Sequence, residues 1–246
     1  MRILIGIDDT DNLDSRGTGF RSRMLGECIR ENGVGLVRSI TRHQLFFDSR
    51  IPYTSHNSSA CLLVESDDME KLIPVCRDFL LRDCAPGSDA GLCVCPWDKV
   101  PNEIVQWGKD AKHIVLKKHD CYSLAEKFNV FLEGLTGTKD GVIGSLAAAG
   151  LRKAGDDGRC LWLLGKELRE LKGVYVIEEL KRISGFETVL SVKGEEINNS
   201  ESVDLGEWVR PVMRNNKPTL IVEEDKKNEK CKWKCVSKDM VKSLSD

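Results

Sequence analysis

The sequence predicts a mixed α/β (α+β) protein, and three observations carry that prediction. Short apolar runs of strand length alternate with segments whose apolar residues recur at helical spacing. The opening elements follow the order strand, helix, strand, strand. Glycine and alanine concentrate in residues 134–150, a composition that allows close approach of a backbone or a ligand around a small-residue helix.

Residues 2–7 are an apolar strand. Residues 18–31 place Phe20, Met24, Leu25 and Cys28 on one helical face, and residues 35–40 and 60–64 return to strand character. Residues 67–81 form an amphipathic helix begun by Asp67-Asp68 and ended by the turn Cys84-Ala85-Pro86-Gly87. A short strand at 92–94 precedes helical residues 102–129, broken near Gly108 and again around 118–121. A small-residue helix at 145–149 leads to a buried strand at 160–164. Residues 174–183 read as a helix, 187–192 as a strand, and 207–213 with 219–222 as a hairpin around Arg214-Asn215-Asn216-Lys217. Residues 223–246 are a charged tail with Lys226, Lys227, Lys230, Lys232 and Lys234 around Trp233.

The 246 residues, 41% hydrophobic and 31% charged, suffice for one large or two modest domains. With 37 basic against 39 acidic residues the net charge is −2, so no global positive field draws in nucleic acid, and such contact needs a local patch. The N-terminus lacks the pattern of a secretory signal, and no apolar run approaches the roughly 18 residues of a membrane span. A cytoplasmic protein without membrane attachment is expected. Ten dispersed cysteines fit small buried groups better than a disulfide framework. Cys93-x-Cys95 and Cys231-x3-Cys235 lack zinc-ribbon spacing, and same-facing strand positions account for the first pair.

The first strand delivers Asp8, Asp9 and Asp11 into a loop, three like charges in four positions. Each close pair costs on the order of 1–4 kcal/mol without a counter-ion. A divalent cation sharing its shell with water and phosphate removes that cost, which suits Mg²⁺-nucleotide; the same residues also serve as turn formers and helix caps. Arg16-Gly17-Thr18-Gly19 then opens the first long helix, an anion site with Arg16, Arg21 and Arg23 nearby. Thr18 either caps that helix or accepts a phosphoryl group. Asp140-Gly141-Val142-Ile143-Gly144-Ser145, with Lys139 beside it, is a second phosphate cradle without the Gly-Lys-Ser/Thr of a Walker A motif, or else a helix start packed tightly on a sheet. Arg42, His43, His56 and Asn57, in a long polar stretch around Ile51-Pro52-Tyr53-Thr54, line a substrate site or an ordered surface loop.

Taken in order, Ile5-Gly6-Ile7-Asp8-Asp9-Thr10-Asp11, Ile51-Pro52-Tyr53-Thr54 with Asn57-Ser58-Ser59-Ala60, Gly87-Ser88-Asp89-Ala90-Gly91-Leu92 and Gly141-Val142-Ile143-Gly144-Ser145-Leu146-Ala147-Ala148 resemble the kinase-like domain of the archaeal tRNA-Ile agmatinylcytidine synthetase (TiaS) family. The resemblance implies a kinase-like α/β domain over 1–165, a smaller ferredoxin-like α+β domain over 166–224, and a charged tail over 225–246. It also implies ATP and Mg²⁺ as cofactors. Asp8, Asp9 and Asp11 would hold the metal, and Gly17, Thr18, Gly19, Lys139, Gly141, Gly144 and Ser145 the nucleotide. Thr18 stands where the family has its phosphorylated threonine, although the family's Cys-Thr-Thr is here Gly17-Thr18-Gly19. The family's OB-fold and zinc ribbon, which grip tRNA, find no counterpart in these residues.

The expected function is therefore ATP- and Mg²⁺-dependent phosphoryl transfer of a ligase type, activating a carbonyl or hydroxyl of an RNA base or related acceptor. The partners are tRNA, bound directly or through another protein, and an amine or small-molecule co-substrate. A small-molecule kinase or ligase and a non-catalytic ATP-binding accessory protein are the alternatives.

Overall fold

The computed structural model describes residues 1–52, 56–226 and 231–245. The first half is built on strands β1 (Arg2–Asp8), β2 (Leu36–Gln44), β3 (Ser58–Glu65), β4 (Gly91–Pro96) and β5 (Phe131–Gly134). They lie in the order β5-β4-β1-β3-β2, all antiparallel, with β1 paired to β3 and β4. Both faces of β1 are buried, so its side chains divide by strand alternation. Ile3, Ile5 and Ile7 point to a core shared with helices α1 (Thr18–Glu31) and α2 (Met69–Asp83). Leu4 points the other way, into a core with α3 (Asn102–Asp110), α4 (Lys118–Lys127) and α5 (Val142–Ala154). Helices thus cover both faces of the sheet.

Gly6 and Asp8 share the Leu4 face, and this places the acidic end of β1 against α5. A Cβ on Gly6 would stand 1.9 Å from the Ser145 carbonyl oxygen, and one on Gly144 would stand 1.8 Å from Asp8 Oδ2. Only glycine permits that approach. The small residues of α5 are therefore what bring its first turn onto the carboxylates.

The sheet continues beyond β2 through β6 (Arg159–Leu163), which carries the short β7 (Lys166–Glu167) at its edge. β8 (Val174–Val176) leads into α6 (Ile177–Ser184), followed by β9 (Thr188–Ser191), β10 (Ser202–Asp204), β11 (Val212–Arg214) and β12 (Lys217–Glu224). β11 and β12 form the expected hairpin, turning at Asn215 and Asn216, whose φ values of 48° and 63° are of the kind asparagine tolerates best. β6 and β11 join the two halves into one sheet, and a third core gathers Cys160, Phe186, Val203, Leu220 and Trp233.

Three expectations are corrected. Residues 174–183 split into a strand and a helix; β8 pairs with β10 before the chain turns helical. The break after Asn102–Asp110 falls beyond Gly108, which stays helical because its bare Cα packs on α5. The tail is not a solvated extension: β13 (Trp233–Cys235) pairs with β12 and β10, and α7 (Lys238–Ser245) follows it. Trp233 is buried, and its Nε1 donates to Glu201 at 2.6 Å, so it is a core residue. Lys227 and Lys230 of the tail lie outside the described residues, as do Tyr53 and Thr54.

All ten cysteines are free thiols, seven of them buried, and Cys93 and Cys95 share one core cluster as same-facing residues of β4. Among the described residues no helix is long and apolar enough to cross a membrane.

Candidate functional site

The loop after β1 is held in place before any ligand arrives. The Ala85 amide donates to the Thr10 carbonyl at 3.1 Å, and Asn12 Nδ2 donates to the Pro86 carbonyl at 3.0 Å. Asp9 adopts φ 52°, a left-handed conformation that aspartate tolerates at a modest cost. Asp11 reaches forward to the start of α1: its Oδ1 accepts from the Thr18 amide at 3.1 Å and from Thr18 Oγ1 at 2.8 Å. Gly17 has no side chain to cap the helix, so Asp11 does so from a distance, placed where the helix dipole favours a carboxylate. Thr10 Oγ1 donates to Thr18 Oγ1 at 3.2 Å, and both hydroxyls are buried. The anion site expected at this helix end is thus filled, at the Thr18 amide, by the protein's own Asp11.

Two further carboxylates approach from other segments. Asp89, just before β4, accepts from the Thr138 amide; Asp140, just before α5, pairs with Lys118 Nζ at 2.8 Å. The acids raise one another's affinity for protons. Burial first, then the charges of Asp89, Asp11 and Asp140, push Asp9 up to about 6 despite a hydrogen bond from the Asp89 backbone. Asp8 stands well above the ordinary carboxylate range, chiefly through burial and then through Asp9, while its bond to the Asp9 backbone acts the other way.

The cluster lies where two cavities meet. The first, of about 350 Å³, has Asp8, Asp9 and Asp140 at its acidic end and Leu45, Ile51, Ile114, Val115, Leu116 and Ile143 along its apolar wall. The second, of about 500 Å³, is bounded by Arg16, Arg42, Arg159 and Arg210, with Phe20 and Trp208 between them. Asp11, Thr18, His56 and Ser58 line both.

The sequence-predicted residues divide accordingly. Asp8, Asp9, Asn57, Gly141 and Gly144 line the first cavity, Gly17, Gly19 and Arg42 the second, and Asp11, Thr18 and His56 their junction. Three lie elsewhere. Lys139 occupies a turn at φ 67° and lines neither cavity. Ser145 is fully buried, its Oγ donating to the Val142 carbonyl at 3.1 Å. His43 is also fully buried, because β2 and β3 extend into what reads as loop; its ring contacts Thr41 Oγ1 at 2.8 Å and Asp157 at 2.7 Å. His43 is a core group facing no substrate. The amides of Gly141, Val142, Ile143 and Ser145 already donate to carbonyl oxygens at 2.9–3.4 Å.

Asp89, Asp140, Arg159 and Arg210 are the site residues that sequence reasoning passes over. The first two had a signal, since each stands among the glycines of a motif: Gly87-Ser88-Asp89-Ala90-Gly91 and Asp140-Gly141.

Among the described residues no three His, Cys, Asp or Glu side chains form a ready metal cage. The donor set fits a different demand. Two neighbouring carboxylates, mutually repelling and facing a cavity, suit a Mg²⁺ that takes its remaining ligands from water and phosphate.

The fold defines a class, a mostly antiparallel sheet covered by helices with a carboxylate loop at the end of its first strand. No family model and no curated protein matches the sequence. Solved structures do. The chain shares its fold with apo TiaS, a tRNA agmatidine synthetase, at 23% identity and a TM-score of 0.53, over 61% of this chain and 35% of that one. TiaS bound to tRNA, AMPCPP and agmatine matches at 21% identity and 0.52, over 71% of this chain and 38% of that one. A tRNA fluorescent labeling enzyme matches at 24% and 0.54, over 61% and 36%. The chain spans little more than a third of the length of each of these structures.

Proposed function

We propose that this protein is an ATP- and Mg²⁺-dependent phosphoryl-transfer enzyme of the ligase type that activates a carbonyl or hydroxyl oxygen of an RNA base. The observation that carries the reading is the meeting of Asp8, Asp9 and Asp140, at the acidic end of one cavity, with Asp11 and the Thr18 hydroxyl at its junction with the second. The shared fold supports it, because solved structures of that fold are described as bound to tRNA with ATP, or to tRNA with AMPCPP and agmatine.

Asp8 and Asp9 would hold Mg²⁺, which supplies charge neutralisation at the phosphates. The apolar wall around Ile114 and Leu116 receives the adenine and shields it from water. Asp11 fixes the Thr18 side chain by accepting the hydrogen bond of its hydroxyl, so that Thr18 Oγ1 presents a lone pair toward the junction. Asp140, neutralised in part by Lys118, keeps the approach to the metal-holding pair negative without closing it. Catalysis then consists mainly of positioning and charge compensation, as phosphoryl transfer requires.

The test is magnesium-dependent ATP turnover by the wild type and Asp9→Ala, with and without bulk tRNA and an amine. Turnover in the wild type that collapses in the variant is the expected result; equal rates in both sink the assignment.

A further inference from the structure

Much of the apolar wall of the first cavity is one stretch of chain, residues 111–118, which runs from α3 to α4 and contributes Ala111, Ile114, Val115, Leu116, Lys117 and Lys118. Its middle lacks internal support: the amides of Val115, Leu116 and Lys117 find no hydrogen-bond partner among the described residues. The position of the wall is therefore set by what grips its two ends. At the far end Lys118 Nζ pairs with Asp140 Oδ1 at 2.8 Å. At the near end the Phe46 amide donates to the Ala111 carbonyl at 2.9 Å, and the next residue, Lys112, pairs with Asp157.

That pair is the end of a buried chain. Asp157 takes Lys112 on Oδ2 and the His43 ring on Oδ1, the latter at 2.7 Å. The other ring nitrogen lies 2.8 Å from Thr41 Oγ1, which donates to the Cys61 carbonyl at 3.3 Å. The side chains of Lys112 and Asp157 are each 14% exposed, and His43 is fully buried. An ion pair at the open surface fixes little, but one so shielded, with its carboxylate held on both oxygens, fixes geometry, because separating it leaves an uncompensated buried charge.

Asp157 is itself held from the second half of the chain. Residues 155–158, between α5 and β6, are clasped by the β11–β12 hairpin: the Asn216 amide donates to the Gly155 carbonyl at 2.9 Å, the Asn215 amide to Asp156 Oδ1 at 2.7 Å, and the Met213 amide to the Gly158 carbonyl at 3.0 Å. Gly158, at φ 98°, leaves room for the ring, since a Cβ there would stand 2.7 Å from His43 Cε1. Hairpin, loop, Lys112 and wall form one continuous line of contacts.

We propose that Asp157 is a positioning residue which, gripped by the hairpin and by His43, anchors Lys112 and so sets the distance between the apolar wall and the carboxylates of the first cavity. The proposal rests on the reading of that cavity as the nucleotide site and adds the residues that keep its two sides in register. Lys112, Asp157 and His43 line neither cavity, so they act on binding through the wall and leave the chemistry at Asp8 and Asp9 intact.

The experiment compares wild type with Lys112→Met, which keeps the length of the side chain and removes its charge, and with Lys112→Arg, which restores a cation. Amide hydrogen exchange without nucleotide reads the wall directly. The amides of residues 112–114 donate to the Lys109 and Asp110 carbonyls, and in Lys112→Met they should exchange about tenfold faster while those of β1 stay as they are. With Mg·ATP the KM should rise about tenfold and kcat change less than about twofold, the mark of binding lost equally from ground and transition state. Lys112→Arg should recover most of both effects. Lys112→Gln, which still offers Asp157 one hydrogen bond, should shift both readouts in the same direction by less, and serves where Lys112→Met does not fold. Unchanged exchange at 112–114 overturns the proposal, and so does exchange accelerated equally in β1, which would make Lys112 a general stabiliser. A fall in kcat at constant KM overturns it as well, by placing the chain of contacts in the chemistry. Because exchange is read without nucleotide, a wild type that turns over no ATP while Lys112→Met loosens at 112–114 alone removes the nucleotide reading and leaves the anchoring role in place.

Discussion

The two cavities on either side of Thr18 are made in opposite ways. The acidic one is assembled from neighbours in sequence, Asp8, Asp9 and Asp11, and drawn tight by glycines that let α5 touch β1. The basic one is assembled from residues far apart, from Arg16 to Lys242. One site therefore depends on backbone proximity and the other on long-range folding. Like charges gather in both, with opposite sign.

The largest effect should come from breaking the close packing behind the acids. Gly6→Ala drives a methyl group into the Ser145 backbone carbonyl, which cannot rotate away. A loss of about 3 kcal/mol or more in chemical denaturation is expected, at the upper end of overpacking costs. Gly19→Ala, whose Cβ would meet only side-chain atoms, Leu161 Cδ1 at 3.2 Å and Arg42 Cδ at 3.9 Å, is the control and should lose far less. Next is Asp9→Asn, which should cut magnesium-dependent ATP turnover by roughly a hundredfold, equivalent to about 2.7 kcal/mol in the barrier. The same change should raise the melting temperature of the ligand-free protein, because it removes one of several mutually repelling charges. A variant both less active and less stable would mean that Asp9 is a structural group.

These contrasts explain what was legible in the sequence. Helix α1 falls at the predicted residues because its apolar spacing is local, and the acidic loop announces itself by charge density. Asp89 and Asp140 each stand alone in sequence, and only the starts of β4 and α5 bring them together. The basic cavity has no local signature, since each cation separately reads as surface charge. His43 reads as a loop residue because Arg42, His43 and Gln44 are polar; β2 nevertheless carries them inward, where Thr41 and Asp157 meet the ring. Trp233 was hidden by the lysines around it, although a three-residue strand suffices to bury it.

The junction itself is sharpened by Thr18. Thr18→Val keeps the shape but leaves Asp11 without the hydroxyl donor and Thr10 without its acceptor. A loss of about 1–2 kcal/mol is expected from thermal or urea unfolding. Thr18→Ser, which restores both hydrogen bonds, should recover most of it.

The smallest effect tests whether the wall behind Arg42 is a neutral structural core or a titrating part of the site. Burial holds the His43 pKa below its ordinary 6.5, against the opposing pull of Asp157. Burial alone would raise Asp157, but its hydrogen bond to His43, with the charges of His43 and Lys112, takes it below 3.8 instead. With His43 neutral, Lys112 supplies the lasting positive partner of Asp157. Well above pH 6.5 neither folded nor unfolded chain protonates the ring, and stability is independent of it. As the pH falls below that value the unfolded chain takes up a proton that the folded one resists, so stability declines until the lowered folded pKa is reached. The Asp157 contribution is lost only below about pH 3.8, outside this window. Asp8 and Asp9, whose pKa values are raised, gain stability over the same window, so the His43 contribution is read as a difference: between about pH 7 and pH 5 wild type should lose on the order of 1 kcal/mol relative to His43→Gln, which keeps a polar side chain without the titration. Parallel profiles for the two proteins would show that His43 takes up its proton in the folded state, and would return it to the electrostatics of the neighbouring basic cavity.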